Sequence, residues 1–280
     1  MSAVVIAMVL LAALLHASWN ALQKSAADPA WAKVLYAPAS ILMLAPLTLF
    51  VPLPSAQVWP WLLGGAALHV AYAVLLYWAF EHGELGEIYP ISRGASPVMV
   101  TAGGVIFAND AMTGLQVIGV VAVCGGIVAL RRSGARALPR KGLVLALLTA
   151  ASTAGYTVLD GIGARLSDDR HGFIVWLFLI NAFCSGAFFW TFQRPANLRA
   201  LPVRRELIKA LAIPAVSMLS FGIIIWATTL APLGAISALR ETSVVFAAIL
   251  GWLFLGETFS PRRIAACIAV AAGAAMVALG

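Results

Sequence analysis

Runs of mostly apolar residues recur along this chain, each about 20 residues long, the length that crosses the hydrocarbon layer of a bilayer. Ten such runs are predicted as helices: residues 2–23, 31–52, 58–81, 86–108, 113–131, 142–162, 172–192, 207–230, 234–256 and 262–279. The breaks between them carry turn chemistry, among them AADPA, EHGEL, NDAMTG, RLSDDRHG, APLG and GETFSPRR. The breaks are short and hold no soluble domain, so the apolar part must itself carry the function.

One run differs from its neighbours. Residues 88–107, IYPISRGASPVMVTAGGVIF, are apolar enough for a bilayer yet contain Arg93, flanked by Pro90 and Pro97. An arginine at such depth costs about 2.5–3.5 kcal/mol on insertion scales, so it is expected to face a protein interior or a water-filled cavity. The prolines free backbone carbonyls, which also suits a cavity wall.

A second such stretch, RETSVVFAAILGWLF, lies at 240–254. Shifting the sequence by 147 pairs Arg93 with Arg240, Ser96 with Ser243, Gly104 with Gly251, Phe107 with Phe254 and Gly126 with Gly273. A shift of 148 pairs Trp78 with Trp226 and Leu85–Gly86 with Leu233–Gly234, and places Ser217 over His69. At the start of each half, a shift of 137 pairs Trp19 with Tyr156, Leu22 with Leu159 and Gln23 with Asp160. The chain therefore reads as two five-span units, 1–134 and 135–280, forming one transport domain. Five is odd, so the second unit enters the membrane upside down. The expected fold is an all-α polytopic membrane protein of ten transmembrane helices, arranged as two inverted five-helix repeats around a central cavity.

Composition agrees with the pattern. The chain is 62% hydrophobic and 10% charged, where soluble domains carry about 25% charged residues. The net charge of +7 does not indicate nucleic acid, because the basic residues sit in short loops between apolar runs. Cys124, Cys184 and Cys267 lie inside separate runs and form neither a metal spacing nor a disulfide framework. The first residues, MSAVVIAMVL, lack a basic leader region and read as the first mature span. Loops after the odd spans carry Lys24, Lys33, Arg131, Arg132, Arg136, Arg140, Lys141, Arg194, Arg199, Arg204, Arg205, Lys209, Arg262 and Arg263. Loops after the even spans carry Arg165 and Arg170. This bias puts the odd loops in the cytoplasm and both termini outside.

The polar residues inside spans are the candidates for function. His16, Asn20 and Gln23 share one face of the first span, beside Trp19. Thr153, Tyr156, Thr157 and Asp160 repeat the pattern in the sixth. His69 and Tyr72 lie one turn apart in the third span, and Tyr89, Arg93 and Ser96 share a face of the fourth. The ninth offers Arg240, Glu241 and Ser243, and the eighth offers Trp226. These residues are read as substrate-binding, with His69 and Glu241 as candidate proton sites. Bundle-gluing hydrogen bonds are the competing use of such groups. Gln23 and Asp160 are expected near the membrane edge and solvated, and Glu81, Glu84 and Glu87 form a solvated rim. Asp110 and Glu257 are expected to cap the helices that follow them. Asn181 and Ser217 read as packing residues. Replacing Arg93 by alanine is expected to reduce transport without reducing folded yield. No cofactor or metal site is indicated, and no HExxH, GxSxG, Walker A or GxGxxG stands in a suitable context. The chain does not read as an enzyme.

The segment ALLHASWNALQKSA at 13–26 and the repeat end LFLGETFSPRRIAACIAVAAGAAMVAL at 253–279 resemble the drug/metabolite transporter superfamily, specifically its EamA-type ten-helix exporters. In the first half the repeat end is degraded: Phe107-Ala108-Asn109-Asp110 stands where the family has Leu-Gly-Glu. The resemblance implies export of amino acids, notably aromatic ones, or of purine- or sugar-type metabolites or drugs. It implies a basket made by spans 1, 3, 4, 6, 8 and 9, with spans 5 and 10 behind. It implies both termini in the cytoplasm, opposite to the charge bias. The expected partners are a small-molecule substrate and the lipid bilayer, without nucleic acid, in a monomer of the cell inner membrane. A membrane enzyme acting on a lipid and a non-transporting partner subunit are the readings from other classes.

Overall fold

A computed structural model describes residues 1–24, 29–130, 138–192, 204–255 and 260–280. The boundary between the two sequence units at 134/135, residue Glu257 and the loop arginines at 131, 132, 136, 194 and 199 lie outside the described residues. Among the described residues all regular structure is helical. In chain order the helices are α1 (Ala3–Lys24), α2 (Pro29–Leu44), a 3-10 turn (Ala45–Leu49), α3 (Trp59–Glu81), α4 (Leu85–Phe107), α5 (Gly114–Ala129) and α6 (Arg140–Leu166). They continue as α7 (Arg170–Phe192), α8 (Arg204–Thr228), α9 (Leu233–Arg240), α10 (Ser243–Leu255) and α11 (Pro261–Leu279).

Seven stretches of the described residues are long and apolar enough to cross a membrane: α1, α3, α6, α7, α8, α9 with α10, and α11. α5 is apolar but shorter. α4 is long enough, but it carries Glu87 and Arg93 and is interrupted by two prolines. The outward faces are apolar: Val4, Phe107 and Ile268 are each more than 60% exposed. Large apolar side chains turned out, with polar ones turned in, is the distribution a lipid solvent requires. The chain is a multi-pass membrane protein.

Helices of the two sequence halves interleave. α3 and α4 pack on α6, α1 packs on α8, and α5 packs on α11. Side chains stitch these pairs: the Ser152 hydroxyl donates to the Leu68 carbonyl at 2.8 Å, and the Ser220 hydroxyl to the Ala12 carbonyl at 2.7 Å. At the α5–α11 contact Gly119 and Gly273 face each other so closely that a Cβ on either would lie under 2.8 Å from the other's carbonyl oxygen. Gly126 is used the same way against α11, whereas Gly125 faces open space.

The predicted ninth span is broken in two. α9 ends at Arg240, and the chain turns through Glu241 and Thr242 before α10. The turn is held by i→i+3 bonds: Val244 N–H to the Glu241 carbonyl at 3.0 Å and Val245 N–H to the Thr242 carbonyl at 2.9 Å. The Thr242 hydroxyl donates to the Leu239 carbonyl at 2.7 Å, a local bond of the kind that tightens or bends a helix.

One capping expectation changes. Thr113, not Asp110, caps α5: its hydroxyl accepts from Gln116 N–H at 3.2 Å, and Gln116 Oε1 accepts from Thr113 N–H at 3.1 Å. Asn109, with φ of 52°, stops α4 by entering the left-handed region that asparagine tolerates. At α11 the Ser260 hydroxyl accepts from Arg263 N–H.

Candidate functional site

A cavity of about 600 Å³ lies inside the bundle. Its lining residues on α1 lie in the C-terminal half, those on α3 and α7 run from mid-helix toward the C-terminus, those on α4 lie in the N-terminal half, and α6 and α8 contribute Tyr156, Ser217, Met218 and Phe221 from just past their midpoints. The cavity therefore reaches from the middle of the bundle toward the α1–α2, α3–α4 and α7–α8 connections. Its innermost wall is aromatic. The His69 ring stacks on Tyr156 at 3.8 Å between centroids, Tyr72 meets Tyr156 edge-on at 6.0 Å, and Phe221 closes on both.

α1 and α4 supply another part of the lining. Trp19 stands edge-on to His16 at 5.2 Å, and its buried indole Nε1 has no hydrogen-bond partner. Arg93 projects from α4 beside Tyr89, whose ring centre is 5.8 Å from the guanidinium carbon. Pro97 contributes no N–H to the Arg93 carbonyl one turn back, so the backbone here is loosened where the guanidinium enters the cavity.

Behind Arg93 is a buried ionic cluster. Arg93 Nη2 lies 3.0 Å from Glu241 Oε2, and Arg240 Nη2 lies 3.6 Å from Glu241 Oε1. Arg240 also sits over the Phe221 ring at 5.5 Å. Two guanidinium groups share one carboxylate, so the cluster keeps a net positive charge. The buried Nε atoms of Arg93 and Arg240 have no hydrogen-bond partner. Uncompensated charge in a low-dielectric interior is costly, and a solute anion reaching Arg93 reduces that cost.

The far end of the cavity is closed. Arg165, from the last turn of α6, donates to Asp110 Oδ1 at 2.7 Å, to the Thr228 carbonyl at 2.7 Å and to the Ala231 carbonyl at 3.0 Å. Asp110 Oδ2 accepts from Leu233 N–H at 2.6 Å, capping α9. One carboxylate and one guanidinium thus tie the α4–α5, α6 and α8–α9 ends together.

Of the residues read as substrate-binding from sequence, Trp19, Asn20, His69, Tyr72, Tyr89, Arg93 and Tyr156 line the cavity. Ser96, Arg240 and Ser243 are buried off its wall, and Trp226 packs against the core of α1, α5, α8, α9 and α11. Glu241 is buried behind Arg93 rather than open to the cavity. Several residues were expected elsewhere. Gln23 lines the cavity instead of a solvated edge. Asp160 is 2% exposed, with Oδ2 3.0 Å from His69 Nε2. Glu87 is also buried, in the first turn of α4. Asn181 and Ser217 line the cavity, so α7 joins the basket, as does α2 through Tyr36, whose hydroxyl donates to Ser217 Oγ at 3.2 Å. The Arg93–Glu241 pair also revises the expectation for Arg93→Ala, because removing one partner of a buried pair strands the other.

A sequence model of the EamA-like transporter family matches residues 140–279. The chain belongs to this family. The "Chloramphenicol-sensitive protein RarD" of Pseudomonas aeruginosa is similar to it, with 26% identity over 209 residues, 73% of this chain and 67% of that protein. A solved crystal structure matches 100% of this chain and 99% of its own, with a TM-score of 0.78 at 19% identity, a likeness of fold. This EamA-family protein is a membrane transporter of the drug/metabolite type, acting on a small-molecule solute.

Proposed function

We propose that this transporter is a secondary exporter of amino acids, aromatic ones included, in a cell inner membrane. The observation that carries the reading is the cavity's two-sided chemistry. Arg93, whose Nε has no hydrogen-bond partner although its Nη2 meets Glu241, and the unpaired Trp19 indole N–H line the same cavity as the stacked rings of His69 and Tyr156. The first pair suits a carboxylate, bound most strongly by arginine, and the second a side chain of large apolar area. Trp19, Asn20, Tyr72, Tyr89, Arg93 and Tyr156 hold the solute, with Ser96, Trp226, Arg240 and Ser243 supporting them from behind. His69 and Glu241 are its candidate proton sites.

The two units, 1–134 and 135–280, form one transport domain of ten spans in two inverted five-helix repeats. They rock against each other around the cavity as a monomer. The matched letters under shifts of 147 and 148 support this division. The cavity lies toward the loops that carry most of the basic residues. By charge bias that end is cytoplasmic, so a solute loads from the cytoplasm and leaves past the Asp110–Arg165 closure.

The name of RarD supports drug export as a second reading, which makes chloramphenicol the comparison compound. Cells expressing the protein are challenged with 4-fluorophenylalanine or with chloramphenicol. The amino-acid reading expects protection against the analogue that Arg93→Gln abolishes. Protection against chloramphenicol alone favours the second reading, and protection against neither, with protein in the membrane, contradicts both.

A further inference from the structure

Several buried carboxylates are found among the described residues, and their partners differ. Asp110 is held by Arg165 and by a backbone N–H. Glu241 is shared by Arg93 and Arg240. Arginine does not release its proton in proteins, so in both arrangements the partner keeps its charge. Glu87 lies in the first turn of α4, where free backbone N–H groups favour negative charge. Asp160 is different. Its charged partner is an imidazole, the one side chain that ordinarily changes charge near neutral pH.

Three observations join that pair to the transport cavity. Asp160 Oδ1 is buried with no hydrogen-bond partner, and Gly65 lies against it so closely that a Cβ there would overlap it. A buried carboxylate with one unsatisfied oxygen depends on the charge of its single partner. His69 lines the cavity and is partly exposed to it, while Asp160 behind it is not. The His69 ring also forms the floor of the aromatic wall through its stack on Tyr156. The imidazole is thus part of the surface that a solute on that wall meets.

We propose that His69 and Asp160 together are a proton-binding site, and that a solute ammonium group and the proton compete for it. This rests on the amino-acid reading of the cavity. With Nε2–H donated to Asp160, the exchanged proton is the one on Nδ1 of the imidazolium. It leaves to cavity water when the solute's ammonium settles on the imidazole and donates to Nδ1 in its place, its charge balancing Asp160 across the ring, and it returns when the solute departs. The solute's carboxylate meanwhile lies on Arg93, so each end of a zwitterion meets an opposite charge. Each cycle moves one proton inward for one solute outward.

The other titratable and charged groups around the pair are Tyr156 on α6, Tyr72 on α3, Arg93 and Tyr89 on α4, His16 on α1, Tyr36 on α2 and Arg240 on α9. α7 and α8 present only aromatic, amide, hydroxyl and apolar groups to the cavity. No second carboxylate lines the cavity among the described residues.

The test uses proteoliposomes holding only this protein, with labelled L-phenylalanine and the membrane potential clamped at zero by potassium and valinomycin. One-for-one exchange against a gradient of one pH unit sustains about a tenfold solute ratio, because 1.4 kcal/mol is tenfold in an equilibrium. The wild type is expected to approach that ratio. Asp160→Asn and His69→Gln are expected to equilibrate at a ratio of one. This end point does not depend on rate, so a merely slower variant still reaches the wild-type value. A wild type that equilibrates at one, or an Asp160→Asn variant that accumulates solute, overturns the proposal. If the wild type carries no L-phenylalanine, that substrate reading fails by itself and the proton site is judged on the purified protein. The infrared difference between about pH 6 and about pH 8 is then expected to hold carboxylate and imidazole bands that Asp160→Asn removes. Identical spectra overturn the proposal.

Discussion

Arg93 and Glu241 form a 3.0 Å ion pair between α4 and the break that separates α9 from α10. The pair joins a helix of the first half to an irregular turn of the second. It stands immediately behind the cavity wall.

Arg93→Ala is therefore expected to destabilise the protein as well as to abolish transport. Breaking a buried pair costs about 3–5 kcal/mol. The loss falls at the lower end here, because Arg240 remains beside Glu241. Arg93→Gln keeps an amide in the site and leaves Arg240 as the counter-charge of Glu241, so it is expected to regain thermal stability in detergent while flux stays absent. Recovery of both, or of neither, contradicts the separation of roles.

Trp19→Phe separates binding from folding more cleanly. The indole Nε1 has no partner within the protein, so removing it takes away no internal bond. Thermal stability is expected to stay within about 1 kcal/mol of the wild type, or to rise. The KM for a carboxylate solute is expected to increase about tenfold, the loss of one hydrogen bond to a charged group. An unchanged KM removes Trp19 from the solute's contacts.

The Asp110–Arg165 closure is a structural lock at the far end of the cavity. Asp110→Ala removes the acceptor of two bonds and leaves the Leu233 N–H unpaired. A loss of about 3 kcal/mol is expected. A cysteine placed at Tyr156 is then expected to react faster with a thiol reagent applied from that end.

Much of this was legible beforehand, and the parts that were not share a cause. Apolar runs revealed the helices, because in lipid every backbone bond must close within its own segment. Arg93 stood out because a charge in such a run has few explanations. Asp160 was misplaced because its position was judged from distance to the end of α6, whereas its burial comes from α3, through Gly65 and His69. Asp110 was assigned to the nearest helix in sequence but serves α6 and α9, which only the tertiary arrangement brings to it. Tyr36 and Asn181 carried no signal because hydroxyl and amide groups in spans are usually bundle contacts.

The glycines offer an internal comparison on α5. Gly119→Ala forces a Cβ against the Gly273 carbonyl and Val277 backbone, at an expected cost of about 1–3 kcal/mol. Gly125→Ala faces open space and is expected to be neutral or slightly stabilising. Thermal unfolding of the two variants side by side checks the α5–α11 contact. Neither is expected to alter the KM, since neither residue lines the cavity.

The most direct measurement is flux in vesicles that contain only this protein. Labelled amino acids of acidic, basic, aliphatic and aromatic classes are presented one at a time, with chloramphenicol as an unlabelled competitor. Saturable flux of aromatic amino acids is expected, lost in Arg93→Gln and insensitive to chloramphenicol at matched concentration. Absence of flux for every amino acid, in vesicles shown to hold folded protein, would contradict the amino-acid reading.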